Sequence, residues 1–413
     1  MREDADNKGR VGAAFDIGTT TIAAASVDMG SGRVLVEKSL PNPQAGWGRD
    51  VVSRINAAED PSVLAALSKS VREACGGLIE EFTGGKDPAL ITIAGNPVME
   101  HLFLGVSPVT LSRPPYRPEF KTARTISAKE AGLAFNAPLY VFPLIGGFVG
   151  GDAVAVVLSI GLHKSPVAAL AMDIGTNSEI MLSANGIVYA TSAAAGPAFE
   201  GGEIEYGMVA DRGAIRGVRV EGDRVSLDII GEVAPKGICG SGLIEAASAL
   251  IKAGVIERTG RIRDRDEVED NLSGRIREGK DGNSFVLYKG PGREITLTQS
   301  DIRALQTAKA AIRAGVSILL KKSGLKPGNI KKVYVAGAFG ANLREEGLST
   351  IGILEKDWLG KVEFAGDAAL SGAVLALQDD RRAEAEEIAI SARYVPLSGS
   401  AHFEREFLRN MDF

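Results

Sequence analysis

Residues 171–179 read Ala-Met-Asp-Ile-Gly-Thr-Asn-Ser-Glu, an apolar strand that stops at an acidic residue and then turns through glycine into hydroxyl and amide side chains. Residues 14–21 read Ala-Phe-Asp-Ile-Gly-Thr-Thr-Thr, which repeats the pattern near the start of the chain. Backbone N–H groups of a glycine turn and short hydroxyl donors are groups that bind phosphate in proteins. The two stretches therefore predict two phosphate-binding turns in two related halves.

Two further landmarks recur in the same order. A strand ending in Ala-Gly follows a long helix at 91–95 and again at 333–337, and a Gly-Asp-Ala helix start occurs at 151–153 and again at 366–368. Three landmarks in register predict an α/β fold of duplicated halves. Each half is expected to be a mixed sheet covered by helices, and the halves are expected to face each other across a nucleotide cleft.

The chain is long enough for two domains, because its 413 residues exceed the roughly 250 to 300 at which single cores stop growing. We place the first half at 11–163 and the second at 164–413, with a subdomain inserted at about 216–294. Within the insertion, the charged stretch 257–282 is expected to be a mobile surface excursion. The loop 42–50 is expected to be anchored by its one large side chain, Trp47.

Composition and charge exclude several classes of partner. The net charge is −5 and no run of Lys and Arg forms a stripe, which argues against nucleic acid. No apolar stretch reaches the roughly 18 residues of a membrane span, and the charged start lacks the apolar region of a signal peptide. We therefore expect a cytoplasmic protein that binds neither membrane nor nucleic acid.

Cysteine and histidine are scarce. Cys75 and Cys239 are the only cysteines, and there are three histidines. An iron–sulfur cluster usually takes four thiolates and a structural zinc four Cys or His ligands, so neither is expected in this chain. Cys239 is expected to be a small buried residue in a tight loop.

The two turns supply the candidate phosphate and metal site. Asp16 and Asp173 are predicted to hold Mg²⁺, mostly through water. The predicted phosphate donors are Gly18, Thr19, Thr20, Gly175, Thr176 and Asn177. Asp152 is the candidate for positioning the attacking water, with Glu179 as the alternative.

Each of these aspartates also has a purely structural interpretation. Asp16 and Asp173 could cap the N–H groups of their own turns, and Asp152 and Asp367 could be ordinary acidic residues at helix starts. The duplication of the turn favours metal binding for Asp16 and Asp173. For Asp367 we retain the structural interpretation.

Adenine is expected to lie on the second half, where small residues let the base approach the backbone. The predicted contacts are Gly337, Ala338 and Gly340, with Gly201, Gly202 and Glu203 as the opposing wall. Lys309, together with Gln306, could reach the ribose or the base from the helix that begins near residue 300. A solvated helix face is an equally open interpretation of Lys309.

In their order, these motifs resemble the superfamily of acetate and sugar kinases, heat-shock chaperone ATPases and actin (ASKHA), over essentially the whole chain. The stretches 16–21 and 173–179 look like its two phosphate motifs and 335–340 like its adenosine motif. The helices that begin at Asp152 and Asp367 look like its two connecting helices. The resemblance implies ATP and Mg²⁺ as cofactors.

Within this superfamily the chain is similar to the ATPase domain of the reductive activators of corrinoid proteins (RACo). The stretches that carry this similarity are 42–54, 95–99, 195–207, 236–243, 297–312 and 401–413. The resemblance implies that ATP is used to return a cobalt(II) corrinoid on a partner protein to cobalt(I).

RACo proteins usually carry an iron–sulfur domain ahead of the ATPase domain, and this sequence shows none. We therefore expect an excised domain or a natural short form, with electrons from a separate iron–sulfur domain or protein. The alternatives are a small-molecule kinase of the same superfamily, for which no acceptor signature is recognisable, and a nucleotide-sensing, actin-like scaffold. An activator of a radical-type dehydratase is a further alternative, but Cys75 and Cys239 lack the matching context. Whether the chain forms a homodimer is left open.

Overall fold

The structure is a computed structural model that describes residues 10–268, 271–337 and 343–413. The strands, in chain order, are β1 (Val11–Ile17), β2 (Thr21–Asp28), β3 (Val34–Pro41), β4 (Ile91–Gly95), β5 (Arg124–Ser127), β6 (Pro138–Val141), β7 (Ala169–Asp173), β8 (Asn177–Ala184), β9 (Ile187–Ala194), β10 (Ala214–Glu221), β11 (Arg224–Ile229), β12 (Gly237–Ile238), β13 (Ile276–Arg277), β14 (Ser284–Gly290), β15 (Arg293–Thr298), β16 (Lys332–Ala336), β17 (Val362–Gly366) and β18 (Arg393–Tyr394).

The α-helices, in chain order, are α1 (Val51–Ala57), α2 (Pro61–Thr83), α3 (Pro97–Leu104), α4 (Gly151–Ser159), α5 (Gly240–Lys252), α6 (Gln299–Ser323), α7 (Glu345–Thr350), α8 (Ala368–Leu375), α9 (Asp379–Ser391) and α10 (Ala401–Arg409). Among the residues described, no helix is long and apolar enough to cross a membrane.

The chain divides into two compact units. The first unit comprises the described residues up to Pro166 together with Met181–Thr191 and Asp367–Val395. The second unit comprises the described residues of Val167–Ile180, Ser192–Gly366 and Pro396–Phe413. The residues 181–191 and 367–395, which the sequence analysis assigns to the second half, therefore cluster with the first.

The first unit contains a six-stranded sheet of order β3-β2-β1-β4-β6-β5. Strands β1, β2 and β3 form an antiparallel meander. Strand β4 lies parallel to β1, and their ends are in register, with Ile17 opposite Gly95. The turn after β1 therefore lies beside the start of α3.

Helix ends in the first unit are set by short polar side chains. Asp60 caps α2 by accepting from the Ser62 N–H, and Asn96 caps α3 by accepting from the N–H groups of Val98 and Met99. A side-chain oxygen at this position satisfies N–H groups that the helix itself leaves unpaired. The caps fix where α3 starts, which places its first turn against the end of β1.

The second six-stranded sheet has the order β17-β16-β7-β8-β9-β18. Strand β16 lies parallel to β7, with Ala336 opposite Asp173. Helix α6 precedes β16 and starts with a capping box, in which Thr298 and Asp301 bond each other's backbone N–H groups. Trp358 belongs to the second unit and is fully buried. Its indole N–H donates to the Pro327 carbonyl at 2.9 Å.

The insertion in the second unit forms the small sheets β11-β10-β12, which packs on helix α5 through β10, and β13-β14-β15. The stretch 257–282, expected to be a surface excursion, instead buries Ile262, Leu272 and Ile276, each 2% exposed or less. Arg261 also bonds Glu257 and Glu267 across this stretch. The expectation was wrong because isolated apolar residues between the charges provide enough buried surface to fold the segment.

Candidate nucleotide site

The first predicted phosphate turn, residues 18–20, is held from one side by buried polar side chains. Asn42 Nδ2 donates to the Gly18 carbonyl at 2.8 Å, and Arg54 Nη2 donates to the Thr19 carbonyl at 2.6 Å. The backbone N–H of Asn42 donates to the Thr20 carbonyl at 2.8 Å. Three consecutive carbonyls of the turn are therefore fixed in direction.

Fixing a carbonyl also fixes the N–H of the same peptide. In a trans peptide the N–H points away from the C=O. The N–H groups of Thr19 and Thr20 are therefore turned away from Asn42 and Arg54. Gly18 is required at the head of the turn because a Cβ there would lie 2.7 Å from the Thr21 carbonyl oxygen. The Gly18 N–H donates to the Thr21 carbonyl at 2.9 Å, so the N–H groups turned to the opposite side are those of Thr19 and Thr20.

Asp16 lies at the end of β1 and Asp152 in the first turn of α4, and both are half-buried. Burial raises the pKa of Asp152 to about 6. Asp152 Oδ1 accepts from the Ala153 N–H at 2.7 Å, as an acidic helix-start residue does. Asp367 caps α8 by accepting from the Leu370 N–H, which agrees with the structural interpretation kept for it.

Glu100, in the first turn of α3, is a residue that the sequence analysis missed. Its side chain is fully buried, and within the described chain neither carboxyl oxygen accepts a well-formed hydrogen bond. Burial, with the neighbouring carboxylates of Asp152 and Asp16, raises the pKa of Glu100 well above its usual range. A Cβ at Gly151 would collide with the Glu100 carboxyl group, so glycine is needed there. Asp152 and Asp16 are therefore near enough to Glu100 for their charges to act on its carboxyl group.

The second predicted turn, residues 175–177, has a carboxylate of its own chain as partner. Glu200 Oε1 accepts from the Thr176 N–H at 2.7 Å and from the Thr176 hydroxyl at 2.9 Å. The Gly196 N–H donates to the Thr176 carbonyl at 2.9 Å. Two donors predicted for phosphate are thus engaged by Glu200, which the sequence analysis did not select. Gly175 and Asn177 flank this contact and are half-buried.

The end of β16 lies next to the second turn, as the adenosine prediction requires. The Ile174 N–H donates to the Ala336 carbonyl at 3.1 Å, and the Gly337 N–H donates to the Gly366 carbonyl at 3.0 Å. Gly337 has φ +118, and a Cβ there would lie 2.5 Å from the Ile174 oxygen. Glycine is therefore required at 337 on two grounds. The predicted contacts Ala338 and Gly340 lie outside the described residues.

The glycine loop predicted as the opposing wall follows Glu200 directly. Gly201 has φ +79 and a Cβ there would lie 2.5 Å from the Met208 carbonyl oxygen, so this position also needs glycine. Gly202 packs on Pro197. Glu203 is exposed and adopts φ +57, which is uncommon for a residue with a side chain.

Lys309 has a partner that the sequence analysis did not foresee. Its side chain is 2% exposed, and its ammonium group donates to the Asp412 carbonyl oxygen. One turn earlier, Gln306 Nε2 donates to the Met411 carbonyl at 2.9 Å. Burial lowers the pKa of Lys309 to about 8. In this conformation Gln306 and Lys309 hold residues 411–413 against α6 and do not form a solvated helix face.

A cavity of about 460 Å³ lies between α5, β10 and α7 of the second unit. Glu245, Ser248, Arg344 and Gly347 are among its lining residues, and none of the predicted nucleotide contacts lines it. Glu245 bonds Arg344 through one carboxyl oxygen, while its other oxygen is buried and has no partner in the described part of the chain. The unpaired oxygen therefore lies buried beneath the cavity wall, next to Gly347.

The candidate metal ligands are single carboxylates and do not form a cluster in the described part of the chain. Among residues 10–268, 271–337 and 343–413, no three His, Cys, Asp or Glu side chains converge on a point that could hold a metal ion. Mg²⁺ keeps most of its hydration shell and commonly takes only one or two carboxylates besides phosphate. Asp16 and Asp173, each at the end of a strand before a predicted phosphate turn, fit that requirement singly. Cys75 and Cys239 are both buried free thiols.

Two family models match the chain. The RACo middle region matches residues 11–165, and the C-terminal domain of RACo, which is its ASKHA domain, matches residues 168–413. The chain belongs to the RACo family. The RACo resemblance and the ASKHA fold class predicted from the sequence are confirmed.

Similar proteins carry corrinoid-related names. The corrinoid activation enzyme RamQ of Eubacterium limosum is 34% identical over 381 residues, which are 89% of this chain and 64% of that protein. The [Co(II) methylated amine-specific corrinoid protein] reductase of Methanosarcina barkeri is 30% identical over 302 residues, 67% of this chain and 52% of that protein.

A solved structure of a reductive activator for corrinoid, iron–sulfur protein matches with a TM-score of 0.89 and 37% identity. That match covers 98% of this chain and 66% of the solved chain. The RACo chain described here thus spans less than two thirds of the length of each of these relatives.

Proposed function

We propose that this RACo chain uses ATP binding and hydrolysis to drive the reduction of a cobalt(II) corrinoid, bound to a partner protein, to cobalt(I). The names of its relatives support the corrinoid protein as partner. One electron passes from a separate iron–sulfur domain or protein to the cobalt, while ATP and water give ADP and phosphate. The two reactions are coupled through the conformation of the chain. The conformation with ATP bound and the conformation with ADP bound have different affinities for the partner protein.

The proposal of ATP binding rests on the hydrogen bonds that fix the first predicted phosphate turn, residues 18–20. Its three carbonyls are bound by Asn42 and Arg54, and the N–H groups of Thr19 and Thr20 face the opposite way. A backbone that presents N–H groups in this manner binds anions such as phosphates. Residues 18–20 would hold one part of the phosphate chain, and Gly175, Thr176 and Asn177 would hold another once Glu200 yields the Thr176 donors.

Asp16 and Asp173 would hold Mg²⁺, which when bound neutralises the developing charge on the phosphate oxygens. Asp152 is the better candidate for accepting the proton of the attacking water. Its pKa of about 6 leaves it ionised at neutral pH yet close to the pH at which a general base works well. Glu179 is less suited, because it is buried and its Oε1 already accepts from the Ser192 hydroxyl at 3.0 Å.

The adenosine part would lie on the second unit near Gly337. Gly337 has no side chain, so a base could approach the backbone closely there. Lys309 remains a predicted contact that would first have to leave the Asp412 carbonyl.

The test supplies the chain with ATP, Mg²⁺, a reduced iron–sulfur protein and a methyl-transfer corrinoid protein in the cobalt(II) state. We expect the cobalt(I) absorption band to grow with ATP and not with ADP. Asp16→Asn should abolish the gain. Asp28→Asn is the matched control, because Asp28 lies at the far end of the β1–β2 hairpin and its carboxylate accepts from Ser31 of its own turn. Growth of the band without ATP, or phosphate transfer to a small alcohol or acid instead, would contradict the proposal.

A further inference from the structure

Arg54 is a fully buried cation directly behind the first phosphate turn. Besides the Thr19 carbonyl, its guanidinium donates to the Gly48 carbonyl at 2.9 Å, to Gln44 Oε1 at 3.2 Å and to Met99 Sδ at 3.2 Å. Within the described chain, no carboxylate lies within 4.0 Å of this guanidinium. Its partners are all neutral.

A buried charge of this kind is costly. Removing a guanidinium from water without an ion pair is unfavourable even when neutral groups satisfy its N–H donors. The cost is visible in the pKa of Arg54, which burial lowers to about 10, although the group remains charged at neutral pH. The carboxylate of Asp50 acts on it electrostatically, but that side chain already accepts from the Ser53 N–H and hydroxyl. A neutral amide could bond the Thr19 carbonyl without this cost, so the charge itself calls for an explanation.

The geometry supplies one. The Thr19 carbonyl points at Arg54, so the N–H on the opposite side of the same peptide, that of Thr20, points away from it. The peptide is polarised by the cation on its carbonyl side, which strengthens its N–H as a donor. The preceding peptide, which joins Gly18 to Thr19, has the same arrangement, but its carbonyl accepts from the neutral side chain of Asn42. Of these two peptides, only the one that joins Thr19 to Thr20 has a full positive charge at its carbonyl.

We propose that Arg54 is a positioning residue of the phosphate site, which helps to aim the N–H groups of Thr19 and Thr20 and places a fixed positive charge behind them. This inference rests on the proposed function. It makes the first turn selective for the more highly charged nucleotide, because the attraction between Arg54 and the ligand grows with the number of phosphate charges.

The size of the effect follows from the separation. A phosphate oxygen bound to the Thr20 N–H would lie roughly 8 Å from the guanidinium, across one peptide. At an effective dielectric constant of about 20, removing one unit charge at that separation is worth roughly tenfold to a hundredfold in affinity. ATP should lose more than ADP, and adenosine should lose nothing.

The experiment measures the affinities of the full chain for ATP, ADP and adenosine by calorimetry, for Arg54→Gln, Arg54→Lys and a control. The control is Arg72→Gln, since Arg72 is a half-buried arginine of the same unit that donates to a backbone carbonyl, that of Phe103, at 2.6 Å. We expect Arg54→Gln to bind ATP at least tenfold more weakly, with a smaller loss for ADP and none for adenosine. Arg54→Lys, which retains the charge, should recover most of the ATP affinity.

Thermal unfolding of each variant reports whether it is folded, and Arg54→Lys keeps the test open should Arg54→Gln prove unstable. Equal losses for ATP and adenosine, or unchanged ATP affinity in a folded Arg54→Gln chain, would overturn the role of Arg54. A loss in Arg54→Lys as large as in Arg54→Gln would overturn the part played by the charge. A wild-type chain that binds no nucleotide would instead overturn the proposed function.

Discussion

Glu200 Oε1 receives both the N–H and the hydroxyl of Thr176, at 2.7 and 2.9 Å. An anionic oxygen thus lies against two donors that the sequence predicts for a phosphate. Glu200 and a phosphate oxygen cannot use the same two donors at once. The second turn is therefore in a self-bonded conformation, and phosphate binding there has to displace a carboxylate.

We expect Glu200→Gln to bind ATP more tightly, because the variant weakens the internal competitor and removes a like charge beside the phosphates. The gain should be roughly threefold to tenfold in affinity. Glu205→Gln is the matched control, as Glu205 is an exposed carboxylate of the same loop. Titration with ATP checks this, and weaker binding in Glu200→Gln would show that the carboxylate contributes to the nucleotide site.

Glu100 should make the stability of the chain depend on pH. Because its pKa is raised in the folded state, the folded protein keeps a proton that the unfolded chain releases near pH 4.3. The free energy of unfolding should therefore fall as pH rises above that value. We expect Glu100→Gln to flatten this fall, as measured by urea unfolding between pH 4.5 and 8 without nucleotide or metal.

Asp152 has a raised pKa as well and contributes in the same direction, so part of the slope should survive in Glu100→Gln. The control is Glu73→Gln, because the Glu73 side chain is 66% exposed and only pairs with Lys69 on the surface. An unchanged pH slope in Glu100→Gln, equal to that of Glu73→Gln, would show that Glu100 is not protonated in the folded chain.

Gly337 should tolerate no side chain. We expect Gly337→Ala to lower the free energy of unfolding by about 2 to 4 kcal/mol, since both the positive φ and the close Ile174 oxygen oppose a Cβ. Gly360→Ala separates the two causes. Gly360 also has a positive φ, +75, but no atom lies within 4 Å of its Cβ position, so about 1 kcal/mol is expected. Urea unfolding of both variants measures the difference, and equal losses would argue against the steric contact.

Substitution of Lys309 should loosen the C-terminal segment 411–413. We expect Lys309→Met to speed hydrogen exchange at the Phe413 N–H, which donates to the Arg258 carbonyl at 2.8 Å. The wild-type free energy of unfolding should also rise between pH 8 and about 10.4, because the folded chain gives up the Lys309 proton before the unfolded chain does. That rise should be absent in Lys309→Met. Unchanged exchange with weakened ATP binding would favour the nucleotide role predicted from the sequence.

The sequence predicts the fold and the two turns because they depend on local patterns. An apolar strand, an acidic residue and a glycine turn occupy consecutive positions, and their repetition removes most of the ambiguity of a single motif. The register of Asp173 against Ala336 follows once both strands are recognised. The RACo family could likewise be predicted, because matching stretches are spread along the whole chain.

The side chains that act on the turns could not be found in this way. Arg54 reaches the Thr19 carbonyl from 35 residues away, and Glu200 reaches Thr176 from 24. Single polar residues in loops and short helices have no periodicity that marks them as buried. Trp47, expected to anchor its loop, is 38% exposed, whereas Gln44 and Arg54 are fully buried. Hydrophobicity suggests the tryptophan as anchor, but the backbone carbonyls of the turn need donors, and only tertiary packing shows which residues supply them.

The two tryptophans of the chain lie in different units and in opposite surroundings. Trp47 belongs to the first unit and is 38% exposed, whereas Trp358 belongs to the second and is fully buried. An indole in water emits at longer wavelength than one in an apolar interior. Each unit therefore carries its own intrinsic fluorophore. Emission spectra can follow the loop behind the first predicted phosphate turn and the interior of the second unit separately, without any label.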